Sequence, residues 1–426
     1  MFAIDNFKIN REVTNFFRAP VPIYDLLAKI ACIALVFFIP LNEEKTRLLA
    51  LILVVVFLAS GGFLFRLRLL QKNPWVYVSL ILYAIIFIGS LYGDNVRADV
   101  RFQLKAYAPI LLSLVVISLL HQPFWRRIAF LAFMVAMLGT LIASYAHLFW
   151  NFPSARSTIE GSESSHHIFK SHITQNVMMS VFVLGCFLEA LKSRSLKLKI
   201  LLSALGCLGV VNILTMVAGR TGYISIIWVL LILVFSIRSS PHKWKIFFTG
   251  MLVTICIATS SPLLRDRISG VSTEVQLYVQ SDEITSTGAR LKYWEESVKL
   301  INEKPWTGYG TGSWKVQFCR IVNSEKWCEA WSTVHPHNQF LHFGVQLGVL
   351  GILVYFCYLA VPCIMAKYVS RDERAYIAGI TGLLFFLSLV DVPLYIIDES
   401  YFFPVLMSIF LAGFRPRSFL TSELCV

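Results

Sequence analysis

Charge is scarce in this chain. Of its 426 residues 15% are Asp, Glu, Lys or Arg, whereas a soluble domain carries about a quarter. With 57% hydrophobic residues and a mean hydropathy of +0.67, the deficit excludes an ordinary water-soluble globular protein. A basic stripe interleaved with aromatics is also missing. The formal charge of +13 therefore does not point to nucleic acid and fits attraction to anionic lipid headgroups instead. The cysteines lack the spacing of a zinc site. The first 22 residues have no apolar core ending in a small-residue cleavage site, so no removable signal peptide is expected and the first apolar run reads as a signal anchor.

Long apolar runs are what the chain has in abundance. About twelve of them can cross a bilayer, near 24–40, 46–65, 74–92, 105–120, 125–149, 174–191, 199–218, 222–237, 244–260, 338–366, 374–391 and 401–414. The expected fold class is all-α, a polytopic membrane protein of about 12 transmembrane helices. Residues 1–260 are expected to hold spans 1–9, residues 261–336 a large polar loop domain between the ninth and tenth spans, and residues 337–426 spans 10–12 and the C-terminal end. Lys8, Arg11, Arg18, Arg66, Arg68, Lys72, Arg126, Arg127, Lys192, Arg194, Lys197 and Lys199 share one side of this layout with Arg238, Lys243, Lys245, Lys367, Arg371 and Arg374. The opposite short loops are poorer in Lys and Arg, so both termini are expected in the cytoplasm. The 261–336 insert and a smaller polar loop at 151–173 then face outward. Cys319 and Cys328 share the insert, where they can pair in an oxidising compartment or remain free thiols.

The insert has local order. Leu291, Trp294, Val298 and Ile301 recur at helical spacing between Ala289 and Asn302, Thr287 can cap the start, and Pro305 ends the pattern. This predicts an amphipathic helix with Arg290 in its first turn, where backbone amides can join the guanidinium in binding an anion. A solvated surface arginine is the other reading. Gly308-Tyr-Gly-Thr-Gly312 lacks the Lys-Ser/Thr ending of a nucleotide loop and reads as a tight turn. Arg265 and Arg267 can guide an anionic substrate or simply face water.

Two further positions stand out. Ala218-Gly-Arg220-Thr-Gly222 interrupts an apolar run with a permanent cation, which is costly near hydrocarbon unless partnered; a diphosphate headgroup is a fitting partner. His335-Pro-His337-Asn338 closes the insert at the start of an apolar helix. His335 and His342 stand at spacings from His337 that share no helical face, so a metal pair is not expected. A lone imidazole there suits a general base or a packing role. Asp391 ends a nearly neutral span and can orient His337 or an arginine, or be solvated.

His337-Asn338, nine residues, then Gly348-Val-Leu-Gly351 resembles the signature of bacterial O-antigen ligases, a family grouped with O-antigen polymerases and pilin oligosaccharyltransferases. Gly219-Arg220-Thr221-Gly222 is similar to a second family element, and Arg290-x3-Trp294 with Pro305, Gly308 and Gly310 to its loop helix. The resemblance implies transfer of O-antigen polysaccharide from undecaprenyl diphosphate to lipid A–core on the periplasmic face of the bacterial inner membrane. It implies inversion at the anomeric carbon, with no metal or cofactor. His337 would be the base, and Arg220 and Arg290 would hold the diphosphate, with Arg265, Asn338 and Asp391 as further substrate-binding candidates. A polymerase or a pilin oligosaccharyltransferase would share the motifs. A lipid-sugar flippase would instead place charges at mid-membrane and show paired repeats.

Overall fold

Proline, asparagine and serine punctuate the apolar runs, and the helices start at that punctuation. The computed structural model describes residues 17–93, 96–150, 166–217, 219–237, 242–260, 262–281, 284–329 and 334–414. Within them the first helices are α1 (Pro22–Phe38), α2 (Glu43–Ser60), α3 (Phe63–Leu70), α4 (Pro74–Gly89), α5 (Arg97–Tyr107), α6 (Pro109–Leu119) and α7 (Pro123–Ala146). They are followed by α8 (His172–Lys192), α9 (Leu196–Val211), α10 (Arg220–Ser236), α11 (Lys243–Ser260) and α12 (Pro262–Ser281). The chain continues as α13 (Ser286–Glu303), α14 (Trp314–Val322), α15 (Glu325–Glu329), α16 (Gln339–Met365), α17 (Arg371–Val390) and α18 (Ile397–Leu411). Pro22, Pro74, Pro109 and Pro123 occupy first-turn positions, where the missing N–H costs nothing. Asn42, Ser171, Asn338 and Ser370 accept from the first free amides of their helices.

The fold is all-helical, with no strand among the described residues. Among the described residues, six helical stretches are long and apolar enough to cross a membrane: 97–119, 123–146, 172–192, 196–216, 339–368 and 371–390. The pair α3 and α4, bent by 97°, makes a seventh if it counts as one span. Helices also lie over the remaining apolar runs, but these are shorter or carry charge. Leu51 is 62% exposed, Leu201 55% and Phe356 57%. Such apolar faces suit lipid rather than water, and the protein is a multi-pass membrane protein.

Helix α8 lies deepest in the bundle, packed by α9, α10 and α17, and its first turns bury Thr174, Gln175, Asn176 and Ser180. A polar helix start inside an apolar bundle marks the end where polar groups collect.

The insert builds a second, smaller core around Tyr293, Trp314, Phe318 and Trp327. Helix α12, within the insert, was not expected from the sequence, and α13 begins three residues before the predicted Ala289. Its cap is Thr285, whose Oγ1 accepts from Gly288 N at 3.1 Å. Thr287 lies two residues past the cap, and its backbone N–H donates to Glu274 Oε2 at 3.0 Å instead. Cys319 and Cys328 form a disulfide with a Cα–Cα distance of 5.3 Å, joining α14 to α15.

The glycine run is a docking loop. Gly308, Gly310 and Gly312 have φ of +63°, +90° and +89°, and Gly348 within α16 has φ +67°. The kink at Gly348 frees carbonyls of its own helix. Tyr309 N then donates to Val345 O (2.9 Å), Gly310 N to Gln346 O (2.8 Å) and Gln346 Oε1 accepts from Gly312 N (2.8 Å). In return Val349 N donates to Pro305 O (2.7 Å). A Cβ at Gly348 would stand 2.5 Å from the Trp306 backbone carbonyl, so this contact requires glycine on two grounds. The insert is thereby locked against the helix that follows His337.

Candidate functional site

The turn 334–338 leading into α16 organises the site. Asn338 caps that helix, its Oδ1 accepting from Leu341 N at 3.0 Å, while its Nδ2 donates to Leu389 O at 3.1 Å. Both polar ends of this side chain therefore tie the start of α16 to the end of α17. The residues at those two ends are His337 and Asp391.

His337 adopts φ +50°, a left-handed conformation that costs a non-glycine residue about 1–3 kcal/mol. Its Nδ1 faces Asp391 Oδ1 at 3.4 Å. That is long for a hydrogen bond, and Nδ1 is buried with no hydrogen-bond partner. Asp391 is 4% exposed and accepts from Val392 N at 2.9 Å. Burial pushes its carboxyl up, but His337 and, beyond it, His335 outweigh burial and hold it below the usual carboxylate range. Asp391 is thus an ionised acid facing the imidazole, not a solvated one.

His335 lies directly against His337, with ring centroids 4.3 Å apart, and its Nδ1 accepts from His337 N at 3.3 Å. Burial above all, then the charges of His337 and Arg290, push it down to about 3 against the pull of Asp391. Helical spacing had separated these two histidines. They stand in a turn, however, and His335, His337 and Asp391 each bring one ligand atom within 4.8 Å of the others.

Helix α13 brings Arg290. Tyr293 stacks on His337 with centroids 6.2 Å apart and planes 14° from parallel, and Trp294 Nε1 donates to Pro336 O at 3.0 Å. Positions 290, 293 and 294 share one helical face, so the face that grips the turn also carries the half-buried Arg290 towards it. The positive charge of Arg290 is felt at His335, where it opposes protonation of the ring. The Arg290-x3-Trp294 spacing is that of an anchor with a cation one turn before it.

Arg220 opens α10. Its side chain lies outside the described residues, as do those of Arg265 and Arg267 on α12. The flanking glycines are explained: a Cβ on Gly219 would meet Asn176 Nδ2 at 2.7 Å and one on Gly222 would meet it at 2.9 Å. This close approach fixes the start of α10 on the polar start of α8. There Thr174 Oγ1 donates to Glu399 Oε1 at 2.8 Å, Lys170 pairs with Asp398, and Glu399 feels the charge of Asp391. Buried polar groups thus gather at the start of α8, against the start of α10.

Sequence reasoning missed His335, Tyr293 and the pair Asp398-Glu399. The one available signal was two carboxylates beside an apolar run, which are seldom buried without partners. Helix α5 also reaches the site, through Phe102, whose ring lies tilted against Tyr395 (5.2 Å), and Tyr395, which meets His335 edge to face (5.3 Å). Beside it a cleft of about 500 Å³ is lined by Ser90, Leu91, Tyr92, Gly93, Arg97, Val100 and Arg101.

Fold and site together define a multi-pass helical membrane protein with a histidine–carboxylate pair and an arginine gathered at one end of the bundle. Residues 203–356 match the family model described as O-antigen ligase. The matched stretch contains Arg220, Arg290 and His337. Among curated relatives, a ComP-specific O-oligosaccharyltransferase of Acinetobacter baylyi is 21% identical over 353 residues, 79% of this chain and 62% of its own length. An O-antigen ligase of Escherichia coli K12 is 24% identical over 153 residues, 34% of this chain and 36% of its own. A putative polysaccharide ligase of Rickettsia felis is 33% identical over 79 residues, 17% of this chain and 18% of its own. The chain spans less than two thirds of the length of each.

Proposed function

We propose that this protein is an inverting, metal-independent glycosyltransferase that joins O-antigen polysaccharide from undecaprenyl diphosphate to lipid A–core. It would work at the periplasmic face of the inner membrane, with about twelve spans and both termini in the cytoplasm. The observation that carries the reading is His337 Nδ1 facing the buried Asp391 carboxylate at 3.4 Å, on a turn gripped by the helix that carries Arg290.

Asp391 is a positioning residue in this scheme. Its negative charge favours the ring proton on Nδ1, the nitrogen it faces, and so leaves Nε2 free to take the proton of an acceptor hydroxyl. As that proton leaves, the acceptor oxygen attacks the anomeric carbon from the face opposite the diphosphate. The carbon–oxygen bond to the diphosphate breaks, its electrons stay on the leaving phosphate, and configuration inverts. Arg290 and Arg220 neutralise that growing charge, a task suited to permanent, bidentate cations. The leaving group is good, so positioning, one base and these cations supply what the reaction needs. The cleft bearing Arg97 and Arg101 fits an anionic acceptor, Arg265 would steer donor or acceptor electrostatically, and Asn338 acts by fixing the turn.

The test supplies purified protein with undecaprenyl diphosphate-linked O-antigen and lipid A–core and follows the joined product on a gel. Product is expected from the unsubstituted protein and not from His337→Ala or Arg290→Ala. A second reading, transfer to a protein hydroxyl, is favoured by the extent of the match to the Acinetobacter enzyme. Product that forms only with pilin would establish it, and glycan lengthening without lipid A–core would establish a polymerase.

A further inference from the structure

We propose that His335, His337 and Asp391 form a zinc-binding site whose occupation switches the enzyme off. The three residues offer one ligand atom each, all within 4.8 Å of one another. Two imidazoles and a carboxylate are a borderline donor set suited to Zn²⁺, with the fourth tetrahedral position left to water.

The geometry favours an ion over a merely crowded turn. Zinc–ligand distances of ~2.0–2.2 Å place tetrahedral ligands ~3.3–3.5 Å from each other, and His337 Nδ1 stands 3.4 Å from Asp391 Oδ1. For a hydrogen bond that separation is loose; it matches one edge of a zinc tetrahedron, and the other two ligand pairs lie within 4.8 Å. Nδ1 of His337 is also a buried nitrogen with no hydrogen-bond partner, the kind of group for which a ligand is expected. The scaffold is rigid: His337 is held in its left-handed turn beneath Tyr293, and Asn338 fastens that turn to the helix ending at Asp391. His335, buried and resting on Tyr395, closes the third side.

Inhibition follows from proton placement and rests on the base role proposed for His337. A metal on Nδ1 takes that lone pair and leaves the ring proton on Nε2. The nitrogen facing the acceptor hydroxyl then has no lone pair to receive a proton. Asp391, bound to the same ion, no longer faces a free imidazole. Zinc here is therefore an inhibitor, and turnover in its absence is untouched.

Binding and inhibition are tested separately, so failure of one reading is distinguishable from failure of the other. The full chain in detergent, stripped with EDTA, is titrated with ZnCl₂ against a chromophoric chelator. One zinc per chain is expected, with affinity falling by at least about tenfold in His335→Gln and in Asp391→Asn, since removal even of an outer-sphere partner costs that much. A measurement needing no variant accompanies it: zinc should protect His337 from acylation by diethyl pyrocarbonate, read by peptide mass spectrometry. Absence of a stoichiometric zinc, equal affinity in both variants, or unprotected His337 would each overturn the site. If zinc binds at His337 but transfer to the acceptor proceeds undiminished, the site stands and the base assignment of His337 falls.

Discussion

Replacing Asp391 by Asn tests the core of the site, because it keeps shape and hydrogen-bonding capacity while removing one charge. Two unit charges 3.4 Å apart interact by about 5 kcal/mol at an effective dielectric near 20. The His337 side chain is 23% exposed, and water screens part of that, leaving about 2–3 kcal/mol for stabilising the imidazolium that forms as the acceptor loses its proton. This corresponds to a fall in kcat of about 30- to 150-fold. The amide adds a second fault. Its N–H₂ can donate to Nδ1, which places the ring proton on Nε2, the wrong nitrogen for a base, so a total loss of about 10²–10³-fold is expected. The assay is the initial rate of product formation at saturating donor and acceptor, with thermal unfolding measured alongside. A loss below about fivefold with unchanged unfolding, or an effect on KM alone, would refute the role given to Asp391.

Gly348→Ala should destabilise the protein by about 2–4 kcal/mol, because both the positive φ and the Trp306 backbone oppose a Cβ; a wild-type melting temperature would contradict the docking described for the glycine loop. Cys319→Ser opens a bridge spanning nine residues in sequence and should cost about 2–3 kcal/mol, seen as earlier unfolding and faster proteolysis between α14 and α15. His335 is pushed down to about 3, so between that value and its unfolded value near 6.5 the unfolded chain holds the extra proton and stability falls as pH falls through this window. In EDTA, native protein should lose about 1.4 kcal/mol on going from neutral pH to pH 5.5, and His335→Gln should lack that increment; parallel curves would count against a buried neutral ring. Arg220→Lys keeps the charge but loses the bidentate fork, and turnover should drop by at least about tenfold at normal membrane insertion.

The sequence by itself determined the helical class and the amphipathic α13, though not its cap, because hydropathy and periodicity are properties of neighbouring residues. It also made the Cys319–Cys328 pair the natural bridge of the insert, since no other cysteine shares that segment. Local signals also picked out Arg290, His337 and the two glycine elements, though not what each glycine does. The tertiary structure alone decided the rest. Helical spacing kept His335 apart from His337, whereas a left-handed turn brings their rings together. Asp391 read equally well as orienting or solvated until the fold buried it, and Asn338 proved to bind two helix ends. Gly348 turned out to be a seat for the 305–312 loop, far away in sequence. The reason is physical: the backbone angle of one turn residue and contacts between helix ends distant along the chain are set by packing, and leave no periodic trace in sequence.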